Sequence, residues 1–266
     1  MTFDYSIAEV TPYVNWIYFF HAWGVGNRPE AEQRQLQTEA MERLQRYADR
    51  YHTHAVFRLY DCHSSQDDIV LEGGGCIPCL RQQHGDCLCL ADFVAPTLEP
   101  PSPVNTQIGI FATTADKGLE TDFDHDPYEK MMMQLLADRL AEATAELLHK
   151  EVRRRLWGYA PDEQLTVEEM LQERWQGIRP AVGYPSLPDT SLNFVIDELI
   201  DMKQIGIRLT ESGAMKPHAS VSGLMMAHQA ARYFSVGKIG TDQLADYARR
   251  RGLPVEVMRK FLGGNL

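Results

Sequence analysis

The chain of 266 residues carries 26 basic against 37 acidic side chains, a formal charge of -11, with 44% hydrophobic and 24% charged residues. A chain of this length can bury a sizeable core without disulfide or metal support, and its composition is that of a folded globular protein. The acidic balance repels phosphate backbones and anionic lipid, so nucleic acid is not an expected partner; no apolar run approaches the ~18 residues of a membrane span and no lysine or arginine precedes Arg28, so neither a membrane span nor a secretory leader is expected and the predicted location is cytoplasmic.

Residues 1 to 27 are aromatic-rich (Tyr5, Tyr13, Trp16, Tyr18, Phe19, Phe20, Trp23) without a clean period, and are expected as an extended arm or short helix pinned to the core. From Pro29 to Tyr51, Leu36, Ala40, Leu44, Tyr47 and Tyr51 recur at spacings of three and four, which predicts one amphipathic helix. Runs at 55 to 61, 68 to 72, 87 to 94 and 107 to 115, separated by Gly, Pro and Ser clusters, predict an antiparallel meander. The stretch 126 to 160 is the strongest helix, with Leu136, Leu140, Ala143 and Leu147 on one face, Gly158 as its cap and arginines 153 to 155 where the helix dipole favours cations. Thr166 and Glu169 form a capping box that opens a helix expected to stop near Gly177, and Asp189 begins another. Residues 219 to 227 and 232 to 239 read as a hairpin, and two helices, from Thr241 and Pro254, close the chain. The Pro-rich 95 to 105 is the best linker candidate, yet its flanking strands read as neighbours, so one α+β unit over 1 to 266 is expected.

Asp138, Glu142 and Glu146 recur at i, i+4 on the long helix, which reads either as a solvated acidic face or as a carboxylate awaiting a cation. Between the helices, "GIRPAVGYPSLPD" (177 to 189) spends three prolines, two glycines, an arginine and a tyrosine. Pro180 biases Arg179 toward extended backbone and can present its guanidinium rigidly to a carboxylate, Gly183 can take positive φ or admit a ligand, and Tyr184 offers a ring with a hydroxyl at its rim. An arginine for a carboxylate together with a distant carboxylate for a cation suits a zwitterionic, positively charged small molecule.

Five cysteines is an odd number, and in a reducing compartment they are thiols or metal ligands rather than disulfides. Cys76, Cys79, Cys87 and Cys89, with His84 between the pairs, can supply four zinc thiolates or pack as small hydrophobes; the gap between the pairs is shorter than in zinc ribbons. Gly24-x-Gly26 lacks the third glycine of a dinucleotide fingerprint, and no G-x-S-x-G, H-E-x-x-H or P-loop motif occurs.

"LRQQ" (80 to 83), "CLADFVAP" (89 to 96), "LADRLAEA" (136 to 143), "WGYAP" (157 to 161), "QGIRPAVGYP" (176 to 185), "LTES.AM.P.ASVSG" (209 to 223) and "DQLADYARRRG" (242 to 252) together resemble the reactivation domain of cobalamin-dependent methionine synthase, over nearly the whole chain. The resemblance implies a C-shaped α+β domain around a twisted antiparallel sheet that binds S-adenosylmethionine. It implies that Arg179 holds the donor's carboxylate, that Pro180, Gly183 and Tyr184 complete that loop, and that Glu142 lies near the sulfonium. Tyr233 and Phe234 match the family's paired aromatics on a late strand, and Ala219, Ser220 and Val221 line the same groove. Two departures stand out: Asn15 occupies the position of a family aspartate, and Phe234 lacks a tyrosine hydroxyl. No D-x-H-x-x-G cobalamin loop occurs. The function expected is therefore a reactivation subunit, incomplete as an enzyme by itself, with no catalytic acid or base and no metal ligand. It would serve a cobalamin-binding methionine synthase core in trans, with a flavodoxin-like electron donor. The alternatives are a docking module of the same fold with weakened donor affinity, a reactivase for another corrinoid methyltransferase, and, more remotely, a zinc-bound structural module.

Overall fold

A computed structural model describes residues 1–96 and 106–266, so the Pro-rich stretch expected as a linker falls almost wholly outside the described residues. The aromatic N-terminal segment is more regular than its lack of period suggests: β1 (Thr2–Ser6), α1 (Ile7–Val10) under a Ser6/Glu9 capping box, and α2 (Trp16–Trp23). Ile7, Val10, Val14 and Phe19 are buried and pin it to the core. Helix α3 (Glu30–Arg46) ends a turn before the expected boundary, while Tyr47 and Tyr51 still face inward against Phe123.

The sheet follows. β2 (His52–Ser65), β3 (Asp68–Leu71), β4 (Cys76–Pro78) and β5 (Gln107–Ala115) are joined by β8 (Ser220–Met225), after the two-residue strands β6 (Arg208–Leu209) and β7 (Met215–Lys216), which pair with each other. The order is β4-β3-β2-β5-β8 with β1 on β2, and every pairing is antiparallel. The fourteen-residue β2 carries β1 on its first half and β3 on its last residues, and the sheet curls around it.

Helices follow as α4 (Gly118–Thr121), α5 (Pro127–Glu151), α6 (Val167–Leu171), α7 (Leu192–Ile200), α8 (Thr241–Arg251) and α9 (Val255–Phe261). β5 is buried at every residue after Gln107, without alternation, because both its faces are covered. Phe111 and Ala115 join Phe57, Val221 and the inner face of α5 in one core, and Ile108, Ile110 and Ala112 pack with α7 in a second. Asp126 caps α5 by accepting from Tyr128 and Glu129 N–H at 2.9 and 3.2 Å. The helix ends in a π-turn (Val152–Leu156), and Gly158, at φ +77°, donates to the Val152 carbonyl at 3.1 Å.

Three expected elements differ. Residues 87 to 94 form no strand but a loop with a 3-10 turn (Leu90–Phe93), because Asp92 caps the Cys89 N–H and is gripped by Arg81. α6 stops at Leu171 rather than near Gly177, with Glu173 left-handed at φ +58°. Residues 232 to 239 are not a strand: they run as coil, held by Val236 N–H to the Pro185 carbonyl and packed on α8 and α9. Tyr233 and Phe234 therefore sit in coil.

Candidate functional site

The Gly- and Pro-rich loop is a short extra rung laid along β8. Ile178 and Met226 exchange both backbone hydrogen bonds at 2.9 Å, Val182 N–H donates to Ser222 and Leu224 N–H to Pro180. Two glycines allow that approach: a Cβ on Gly177 would collide with the Met226 carbonyl, and one on Gly223 with the Pro180 carbonyl. Gly183, at φ +88°, has room for a side chain but needs the left-handed backbone.

The rung closes one wall of a cavity of about 600 Å³, within the 300–1,000 Å³ usual for small-molecule sites. Of the residues expected at the site, Asn15, Glu142, Arg179, Pro180, Tyr184, Val221, Tyr233 and Phe234 line it, whereas Gly183, Ala219 and Ser220 do not. The latter two are spent inside the fold: Ala219 N–H donates to the Glu120 carboxylate at 2.7 Å, and Ser220 Oγ pairs with Thr114 Oγ1 and the Pro217 carbonyl, each at 2.8 Å.

Helix α5 forms the opposite wall with Arg139, Glu142, Ala143 and Glu146. Each step of four residues advances the helix face by about 40°. Asp138, first of the acidic stripe, thus falls outside the cavity, where burial raises its pKa. Tyr13, Tyr18 and Glu173 also line the cavity. No local motif singles them out, although both tyrosines belong to the aromatic segment and Glu173 lies four residues before the loop. Three carboxylates (Glu142, Glu146, Glu173) thus face two guanidiniums (Arg139, Arg179), an excess of one negative charge.

These groups are already organised. Tyr184 Oη donates to Glu142 at 2.7 Å, and Asn15 caps α2, its Oδ1 accepting from Ile17 N–H at 3.2 Å, a role an aspartate fills equally well. The Arg179 side chain is only 10% exposed: it ion-pairs with Glu146, donates to the Ala145 carbonyl at 2.7 Å, and its backbone N–H donates to Tyr233 Oη at 2.9 Å. Its Nε–H and the second N–H of each terminal nitrogen have no protein partner among the described residues. The Glu173 carboxyl has its pKa raised by burial and by Glu146, with Arg179 opposing.

Behind Arg179 lies a buried polar layer. Arg153 is fully buried and gripped by Glu163 at 2.7–3.0 Å; the Trp175 ring lies under both guanidiniums, 4.9 Å from Arg153 and 5.9 Å from Arg179; His149 meets that ring edge-on at 5.2 Å. Burial first, then the two arginines, push the His149 pKa well below the usual value, so His149 is neutral in the fold. The unfolded chain takes up that proton near pH 6.5 while the folded chain does not, so stability falls as pH drops below 6.5, by about 1.4 kcal/mol per unit down to the folded pKa. Denaturant midpoints measured from pH 7 to pH 5.5 should fall less steeply for His149→Phe than for the parent chain; equal slopes would mean that His149 does not drive this acid sensitivity.

The cysteines form no such site: Cys79 and Cys89 are buried, Cys76 and Cys87 exposed, and among the described residues no group of three or more His, Cys, Asp or Glu side chains is placed to hold a metal ion. Nor, among those residues, is any helix long and apolar enough to cross a membrane.

Residues 6–252 match the model of the activation domain of vitamin B12 dependent methionine synthase. Among solved structures the chain is similar to the crystal structure of the MetH reactivation domain bound to AdoHcy, at 37% identity and a TM-score of 0.90, over 100% of this chain and 90% of that one. With the family match spanning nearly its whole length, the chain belongs to the activation-domain family of vitamin B12-dependent methionine synthases.

Proposed function

We propose that the cavity binds S-adenosylmethionine and that the chain is a reactivation module, supplying this methyl donor for the reductive methylation of cob(II)alamin carried by a methionine synthase core. The observation that carries the reading is the meeting, in one cavity of ligand size, of Arg179 with unused donors and Glu142 on the facing helix. Arg179 takes the donor's carboxylate, Glu142 attracts its sulfonium, and Tyr18, Tyr184, Tyr233 and Phe234 offer faces for the adenosine. The net charge of S-adenosylmethionine, +1, complements the cavity's excess carboxylate.

A corrinoid carried by the synthase core would, once reduced by one electron from a flavodoxin-like protein, supply the nucleophile for the methyl carbon, with S-adenosylhomocysteine as the leaving group. The residues of this chain bind and orient the donor, whose sulfonium is already activated, so no general acid or base is needed. Glu142 shares its charge with the Tyr184 hydroxyl, which keeps the sulfonium contact moderate and avoids stabilising the ground state as much as the transition state.

Isothermal titration with S-adenosylmethionine beside S-adenosylhomocysteine tests the reading. Saturable binding of the donor is expected; absence of heat with either compound at millimolar concentration would leave a docking module of the same fold.

A further inference from the structure

We propose that Trp175 is a positioning residue of the donor site, acting through Arg179 to aim the guanidinium at the ligand's carboxylate; the proposal rests on the reading of Arg179 given above. The indole is 8% exposed and makes no wall of the cavity. What it contacts is the pair of arginines: Arg179 on the cavity side and Arg153 further in, with His149 edge-on to the same ring.

Arg153 cannot move away, because Glu163 grips it in a bidentate pair and the π-turn ending α5 holds it wholly buried. π-Turns concentrate at functional sites. The ring is thus held against Arg153 and offers the negative potential of its π-system to Arg179 as well. Glu146 and the Ala145 carbonyl hold the other side of that guanidinium. A guanidinium restrained by a carboxylate, a carbonyl and an aromatic face loses little further freedom when a carboxylate arrives, and this preorganisation raises affinity for that group alone.

The readout is therefore the coupling between residue 175 and the ligand's carboxylate. The full chain is titrated with S-adenosylmethionine and with its decarboxylated analogue, which keeps the sulfonium and the amine. The parent chain is expected to prefer S-adenosylmethionine. In Trp175→Leu that preference should shrink by about two- to thirtyfold, the range of a cation–π contact from exposed to desolvated, with affinity for the analogue little changed. Trp175→Phe, which keeps a ring face, should retain most of the preference. Singly to triply fluorinated tryptophan placed at position 175 keeps the shape while draining the face of negative potential, and the preference should fall with each fluorine; this series does not depend on the leucine variant folding. An unchanged preference across the fluorinated series, or an equal loss for both ligands, overturns the proposal and leaves the donor site standing. Failure of the parent chain to bind either ligand removes the donor site and the proposal together.

Discussion

Arg179→Ala is expected to abolish measurable S-adenosylmethionine binding and, separately, to destabilise the fold. The binding loss follows from the donors that Arg179, in the cavity wall, leaves without a protein partner among the described residues: a carboxylate that finds no guanidinium loses its strongest, charge-assisted contacts. The stability loss has a different origin. Glu146 is 9% exposed and its Oε2 already lacks a partner, so without Arg179 it becomes an uncompensated buried carboxylate; breaking such a pair from one side costs about 3–5 kcal/mol. The two effects separate in the double variant. Adding Glu146→Gln to Arg179→Ala removes the orphaned charge and should recover part of the denaturant midpoint, yet no donor binding. Calorimetric affinity within a few-fold of the parent for either variant would show that the carboxylate is held elsewhere.

That double role of Arg179 marks where sequence reading stops. The loop announced itself through its prolines and glycines, and the motif resemblance pointed to Arg179 and Glu142; both residues line one cavity. Glu146 was visible only as part of an acidic stripe, because i, i+4 spacing gives the same signal for a solvated face and for a buried ion pair. Trp175 gave no signal and Arg153 only that of a cation at a helix end, since their contact joins the end of a helix to a loop through packing that no local pattern encodes. The same logic sorts the elements. Thr166 announced a helix start through its own side chain, and the capping bond is present. By contrast, 87 to 94 and 232 to 239 are short apolar runs, and such a run buries equally well as strand or as packed coil. In the first, Asp92 and Arg81 decide the matter; in the second, α8 and α9 cover the segment.

Gly223→Ala should cost more than its single methyl suggests, and should cost donor affinity as well. Gly223 is not in the left-handed region, so alanine suits its backbone; the constraint is space. Its Cβ would press on the Pro180 carbonyl oxygen, with Ala181 Cα at 2.9 Å and the Phe111 ring at 3.1 Å. Two of these three are backbone atoms, which cannot rotate away, so the strain is relieved only by lifting the rung that carries Arg179 and Pro180 off β8. Overpacking of this kind costs about 1–3 kcal/mol. The amides of Val182 and Leu224, which bond across the contact to Ser222 and Pro180, should lose hydrogen-exchange protection first. Gly264→Ala, where nothing lies within 4 Å, should leave stability, exchange and binding unchanged. Donor affinity that persists in Gly223→Ala with both amides unprotected would mean that the rung is dispensable and that α5 alone shapes the cavity. Loss of protection together with loss of affinity would assign the glycine of A-S-V-S-G to the same site as the arginine of R-P-x-x-G-Y, the first admitting the backbone that aims the second.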